Sequence, residues 1–367
     1  MSEEAFMTTK DFPSTIEDVS ASWLTGVLRD SGFAGVEITD MQVGVIGEGV
    51  GIMGLLYRVK LSYSDSSPKE APSSVIIKVP SPHEQTRHIA RAFMFYGKEI
   101  GFYRDAAKDT PLGTPKCYAA YHDPELDDFV LVLEDLDGTE VISQLDGCPL
   151  EKAEIAIEGL ARHHAAFWES ERFEGDLSWL PYGWDVPFPQ AIAQGFAEAW
   201  PSCMEMFPNG VSDRIKKVGE KFPTVTSEMM ELADSPITLA HGDFRLDNLF
   251  FENETLKVID WQICIKTVGG YDLGYFLSQS LTIEDRRNHE IELLDRYRNT
   301  LSDIGLDYPQ DRLMEDYRRS VLFCLAYPVQ ASAAALVNER AVQLVTEMFA
   351  RVSTAIEDLD ADEFLPE

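Results

Sequence analysis

Two short polar blocks flanking a hydrophobic hairpin constrain this chain most. The first is His241-Gly242-Asp243-Phe244-Arg245-Leu246-Asp247-Asn248, and the second is Ile259-Asp260-Trp261-Gln262. Asp243 and Asn248 lie five apart on what reads as a loop, and Asp260 follows Asp243 by seventeen residues. Leu249-Phe250-Phe251 follows the loop, then the turn-like Glu252-Asn253-Glu254, then a second short strand from Leu256 that ends at Asp260. A loop, a hairpin and an acid at a strand end can bring two carboxylates and an amide to one point. An Asp-x-x-x-x-Asn pair alone recurs by chance, and His-Gly-Asp alone can be a turn. Together the two blocks form the set that phosphoryl transfer needs. One carboxylate accepts the proton of an attacking hydroxyl, while an amide and a second carboxylate hold magnesium on the nucleotide phosphates.

On these residues the chain resembles the aminoglycoside phosphotransferase and choline kinase superfamily, whose catalytic loop carries His-Gly-Asp followed by Asn. The Asp260-Trp261-Gln262 ending and Tyr271-Asp272-Leu273-Gly274-Tyr275-Phe276-Leu277 look most like the ecdysteroid-kinase-like branch and its bacterial relatives. The resemblance runs from about Gly47 to the last helices. It implies an α+β, two-lobed, protein-kinase-like fold. An N-terminal lobe over 1–135, an antiparallel sheet with one main helix, would bind nucleotide. A larger, mostly helical lobe over 136–367 would carry catalysis and the acceptor. The implied activity is ATP- and magnesium-dependent transfer of a phosphoryl group to a small-molecule hydroxyl. The alternative is an inactive, nucleotide-binding regulator.

Composition bounds the rest. The chain has 367 residues, enough for two substantial cores, and 45% hydrophobic content fits a globular protein. Its 31 basic and 63 acidic residues leave a net charge of −32. That argues against a sequence-independent grip on nucleic acid or anionic membrane, both of which need a basic surface. Steering of a cationic substrate and plain solubility both remain open. No apolar run is long enough to span a bilayer, and the acidic N-terminus lacks a signal-peptide pattern, so a cytoplasmic location is expected. Five scattered cysteines, none in a Cys-x-x-Cys pair, fit free thiols in a reducing compartment. Nothing in the sequence sets the oligomeric state.

Along the chain, Ser20 to Asp30 reads as a short helix, with strands over 36–46 and 55–63. Between these strands Gly47, Gly49 and Gly51 can bring backbone N–H groups close to phosphate oxygens. Val75-Ile76-Ile77-Lys78-Val79 is an apolar strand carrying one lysine. Such a lysine can snorkel at an edge, but a kinase fold needs a strand lysine on the α- and β-phosphates. A helix over 87–107 offers Glu99 as its carboxylate partner, with Glu84 a poorer choice. Phe129 to Leu133 is a buried strand, and the resemblance makes the backbone near Glu134 and Leu136 the hinge that meets the adenine edge. From Leu150 the pattern turns helical. Adjacent His163 and His164 point in different directions and cannot easily share a metal, so a packing role fits them. The aromatic loop from Trp179 to Phe188 either walls an acceptor pocket or covers a core edge. Later helices are expected over 189–207, 211–232, 282–301, 311–327 and 331–359.

Asp243 is therefore the expected base, and Asn248 and Asp260 the expected magnesium ligands. Arg245 either touches the transferred phosphate or pairs with Asp247 or another acid. His241 fits a bracing role, as does Asp272. Only twelve residues separate Asp260 from Asp272, too few for an activation loop, and no Asp-Phe-Gly or Ala-Pro-Glu is present. A small-molecule acceptor is expected rather than a protein.

Overall fold

A computed structural model gives the architecture and describes residues 12–46, 53–185, 187–207, 210–231, 235–335 and 339–365. The chain divides into one unit made of residues 1–108 and 114–138 and another made of residues 109–113 and 139–367.

In the first unit, Ser20 caps helix α1 (Ala21–Asp30): its hydroxyl accepts from Trp23 N at 3.1 Å. Five antiparallel strands follow, β1 (Ile38–Ile46), β2 (Gly54–Tyr63), β3 (Ser74–Pro80), β4 (Cys117–Asp123) and β5 (Asp128–Glu134), in the order β1-β2-β3-β5-β4. Leu24, Val27 and Leu28 of α1 pack into one core with Val59, Val75, Ile77, Val130 and Val132. The alternation of those strand positions is what a half-buried strand requires. β4 adds to the strands expected from sequence.

The helix expected over 87–107 is three pieces. Helix α2 (Glu84–Ala92) is capped by Phe93 and followed by a left-handed residue, Met94, with φ of 55°. A right-handed helix cannot continue through that conformation. Helix α3 (Phe95–Gly101) restarts beyond it and runs into a wider π turn, Phe102–Ala106.

In the second unit a short strand β6 (Glu140–Val141) leads to helix α4 (Leu150–Ala166). Helices α5 (Phe188–Met206) and α6 (Asp213–Met230) then precede strand β7 (Ile237–Ala240). Strands β8 (Leu249–Glu252), β9 (Thr255–Val258) and β10 (Ile265–Val268) come next. β8 pairs with β6 and β9, and β10 pairs with β7, every pair antiparallel. Asn253 turns the β8–β9 hairpin with φ of 54°, a conformation asparagine tolerates. The rest is helical: α7 (Gly270–Ser280), α8 (Ile283–Asp303), α9 (Gln310–Phe323), α10 (Ala326–Ala335) and α11 (Glu339–Asp358). The helix expected to reach Tyr327 ends instead at Phe323. Pro328 cannot donate inside a helix but fits the first turn of α10. Of the helix expected over 331–359, α10 and α11 cover 331–335 and 339–358, and residues 336–338 lie outside the described residues. Among the described residues no helix is long and apolar enough to cross a membrane.

Candidate active site

In the first unit, strand β3 sits between β2 and β5, with Lys78 opposite Leu56 and Leu131. Its ammonium lies 2.7 Å from the Glu99 carboxylate on α3. The two residues are only 8% and 2% exposed. A buried charge keeps its ionised form only when so paired. Glu84, the poorer choice, is exposed at the start of α2. Tyr96 extends the connection on α3. Its hydroxyl donates to the Met53 carbonyl at 2.5 Å and accepts from Ser81 N at 3.3 Å. Gly54 admits this close packing, since a Cβ there would sit 3.0 Å from the Val79 carbonyl and 3.7 Å from Lys78 Cε. Gly47, Gly49 and Gly51 lie outside the described residues. At the end of β5, Glu134 N donates to the Lys116 carbonyl at 2.8 Å, and the Glu134 carboxylate accepts from Lys116 N at 3.0 Å. Leu136 follows two residues beyond the strand.

In the second unit the His241–Asn248 loop is built around a buried acid. Asp272, on α7, accepts from His241 N at 2.7 Å, Gly242 N at 2.9 Å and His164 Nε2 at 3.1 Å. Burial alone would raise its pKa. The hydrogen bond and charge of His164, then His241 and the Gly242 amide, outweigh burial and hold it below the usual value. His164 Nδ1 in turn meets the Tyr297 hydroxyl at 2.8 Å. Gly242 has φ of 88°, and a Cβ there would collide with the Ile263 carbonyl. Only glycine meets both demands.

His241 braces both blocks. Its Nε2 donates to the Ile259 carbonyl at 2.9 Å, which leaves Nδ1 to accept from Asp243 N at 3.1 Å. Trp261, fully buried, lies edge-on to His241 with ring centroids 4.6 Å apart. Its indole N–H donates to the Val258 carbonyl at 3.2 Å. His163 packs on the same tryptophan and meets Thr110 Oγ1 at 2.7 Å and the Leu239 carbonyl at 2.9 Å. Burial, with the neighbouring His164, pushes its pKa down to about 3.

The Asp243 carboxylate accepts from Asn248 Nδ2 at 2.9 Å and from Arg245 Nε at 3.1 and 3.3 Å. Tyr275 of α7 feels the same carboxylate: burial first, then the Asp243 charge, raises its phenol's pKa well above the usual value. Asn248 Nδ2 reaches the Asp243 carbonyl as well, at 2.8 Å. Arg245 bridges Asp243 and Asp247. Burial opposes its cation, but Asp243, Tyr275 and Asp247 outweigh that and raise its pKa. The Asn248 carbonyl accepts from Ile259 N at 3.1 Å, one residue before Asp260. The two blocks are thus joined within one unit. Asp260 is left-handed, with φ of 66° and ψ of 61°, and Gln262 Nε2 lies 3.4 Å from its carboxylate.

The aromatic loop is fastened to the same framework. Lys266 N donates to the Pro181 carbonyl at 2.8 Å, and Gly183 N donates to the Lys266 carbonyl at 2.9 Å. Tyr182 stacks on Trp184 with centroids 4.8 Å apart, and the Lys266 ammonium lies 3.9 Å from the Tyr182 ring centroid. Val186 lies outside the described residues.

Three contributors escaped the sequence reading. Tyr275 stands within the Tyr271–Leu277 segment one turn beyond Tyr271, a spacing that marks one helix face. Tyr327, from α10, donates to the Gly242 carbonyl at 3.2 Å. Gln144 accepts from Leu246 N at 3.0 Å. No local pattern marks the last two.

A family model places the chain. Residues 48–307 match the ecdysteroid kinase-like family, well over half of the sequence. The chain belongs to the ecdysteroid kinase-like family. Solved structures share the kinase-like fold at low identity. A choline kinase from Cryptosporidium parvum Iowa II is 12% identical with a TM-score of 0.57, over 94% of this chain and 98% of that one. The GDP complex of wild-type aminoglycoside 2'-phosphotransferase-IIIa is 14% identical with a TM-score of 0.53, over 94% and 100%. An amicoumacin kinase solved with AMP-PNP, Ca2+ and Ami is 13% identical with a TM-score of 0.53, over 91% and 92%. No curated protein sequence matches the chain.

Proposed function

We propose that this ecdysteroid kinase-like protein is a small-molecule kinase that transfers the γ-phosphoryl group of ATP to an acceptor hydroxyl. One observation carries the reading: Asn248 binds Asp243 by its side chain and Ile259 by its carbonyl, which joins the base to the strand end bearing Asp260. Asp243 is the base. It orients the hydroxyl and accepts its proton, and in a loose transition state orientation is the larger contribution. Arg245 sits two residues on, as a cation that can shift from Asp247 towards the transferred phosphate.

The donor set fits a hard divalent cation. Asn248 turns its amide nitrogen to Asp243, so the amide oxygen is the atom left for a metal, and Asp260 supplies a carboxylate. Magnesium, when bound with nucleotide, would neutralise charge on the phosphate oxygens. Two protein ligands make a poor cage, so nucleotide and metal bind together. Lys78, fixed by Glu99, would hold the α- and β-phosphates, and the backbone of Gly47, Gly49 and Gly51 would contact them as well. The backbone near Glu134 and Leu136 would meet the adenine edge. The Glu134 N–H is already committed to the Lys116 carbonyl. The first unit is thus the nucleotide-binding lobe and the second the catalytic and acceptor-binding lobe.

The acceptor is a neutral or cationic alcohol with apolar bulk, with the loop from Trp179 to Phe188 as one wall. The acidic net charge of −32 and the loop's aromatic content support this. Magnesium-dependent ATP turnover against a metabolite library is the test. Asp243→Asn keeps the shape and removes the base, so transfer should fall by about 10² to 10⁴ with nucleotide affinity little changed. A parent enzyme with no magnesium-dependent nucleotide binding, or an Asp243→Asn variant as fast as the parent, would refute the proposal.

A further inference from the structure

Gln144 lies in the connection between β6 and α4, far from every motif in sequence, yet it is 1% exposed. All its side-chain hydrogen bonds lead to the loop or its support. Oε1 accepts from Leu246 N at 3.0 Å, between Arg245 and Asp247, and from Ser280 Oγ at 3.3 Å. Nε2 donates to the Gln279 carbonyl at 2.8 Å, at the end of α7, the helix that carries Asp272 and Tyr275. Arg351 of α11 completes the junction. Its guanidinium donates to three main-chain carbonyls: Gln144 at 2.8 Å, Gln279 at 3.0 Å and Leu145 at 2.8 Å. Arg351 is 4% exposed, and its nearest carboxylate, Glu347, stands 3.9 Å away. Gly147 packs just as closely, since a Cβ there would meet Thr282 Cγ2 at 2.7 Å.

We infer that Gln144, itself held by Arg351, is a positioning residue that sets the pitch of the Leu246–Asn248 turn and so the readiness of Asn248 to take metal. The turn is a single 3-10 turn, Leu246–Asn248, and a 3-10 turn this short has little rigidity of its own. Asp272 fixes the loop at His241 and Gly242. Gln144 is the side chain that fixes it at the other end, at Leu246. Without that bond the buried Leu246 N–H loses its acceptor, and the turn must shift to find another. Asn248 is two residues away and moves with it. This inference rests on the reading of Asn248 as a metal ligand.

The test compares nucleotide dissociation constants with and without magnesium, using ATP as the probe and the full chain. Gln144→Leu should leave magnesium-free ATP affinity unchanged and reduce the magnesium-dependent gain by about fivefold, the worth of one buried hydrogen bond. Gln144→Glu keeps an oxygen for Leu246 N and should restore much of the gain. A uniform loss of ATP affinity in both conditions, or a Gln144→Leu variant with the parent's gain, would overturn the inference. Should Gln144→Leu fail to fold, Arg351→Lys carries the same test, with a smaller fall expected and an unchanged gain as the refuting result. A parent without any magnesium-dependent gain would overturn the metal reading itself, and this inference with it.

Discussion

Replacing Asp272 by alanine should destabilise this protein more than a change at Asp243, Asn248 or Asp260, the groups proposed to do chemistry. The carboxylate is fully buried and accepts from two main-chain amides and one imidazole, at 2.7, 2.9 and 3.1 Å. Removing it strands three buried donors. Each unsatisfied group costs about 1–3 kcal/mol, and water entering the vacated space can recover part of that. A net loss of about 4 kcal/mol follows, against a total stability of roughly 5–15 kcal/mol for a typical domain. For a unit of this size each kcal/mol moves the melting temperature by about 2–4 °C, so a fall on the order of 10 °C is expected. Asp272→Asn keeps one acceptor oxygen and should lose about half as much. Thermal unfolding by circular dichroism measures both variants. A melting temperature for Asp272→Ala within about 2 °C of the parent would refute the argument.

The His163 ring titrates at about 3 when folded against 6.5 ordinarily, so between those values the unfolded chain binds the extra proton. The stability it protects is present above 6.5 and lost as pH falls towards 3, at up to about 1.4 kcal/mol per pH unit. Urea melts at pH 7 and pH 5 should show this loss, reinforced at lower pH by Asp272, whose lowered pKa acts in the same direction. Lys78→Met should cost about 3–5 kcal/mol by leaving Glu99 buried without its cation, while Lys78→Met with Glu99→Met should recover part of that; denaturant midpoints decide. Gly242→Ala combines a positive φ with a collision at the Ile263 carbonyl, so a soluble variant with parental melting would contradict the geometry. Asp260→Asn can keep the left-handed backbone and should melt like the parent, whereas Asp260→Leu should lose stability by about 1–2 kcal/mol from backbone strain alone.

Elements with their own period were legible. The helix that starts at Ser20, the apolar run around Lys78 and the β8–β9 hairpin each state their structure within a dozen residues. Breaks imposed by tertiary packing were not. Nothing in Phe93-Met94-Phe95 forbids a helix, yet Met94 adopts φ of 55° where α2 and α3 each bond a different part of the same unit. Arg87 and Arg91 of α2 bond the Leu126–Asp128 turn, while Tyr96 and Glu99 of α3 bond Met53, Ser81 and Lys78. Propensity is a weak prior against such bonds.

The site divides along the same line. Asp243, Asn248 and Asp260 stand in one motif because the groups proposed to act on a nucleotide must be few and of fixed type. The groups that hold them need only offer an oxygen or an N–H at the right place. Asp272 reaches back 31 residues to His241, His164 reaches 108 to Asp272, and Gln144 reaches 102 to Leu246. Many residues can supply such a bond from many positions, so no spacing records it. A residue's legibility in sequence therefore follows how narrowly chemistry restricts its type, not how much stability depends on it. By that measure Gln144, which the acceptor need never touch, is where substitutions should harm this protein without leaving a mark on any motif.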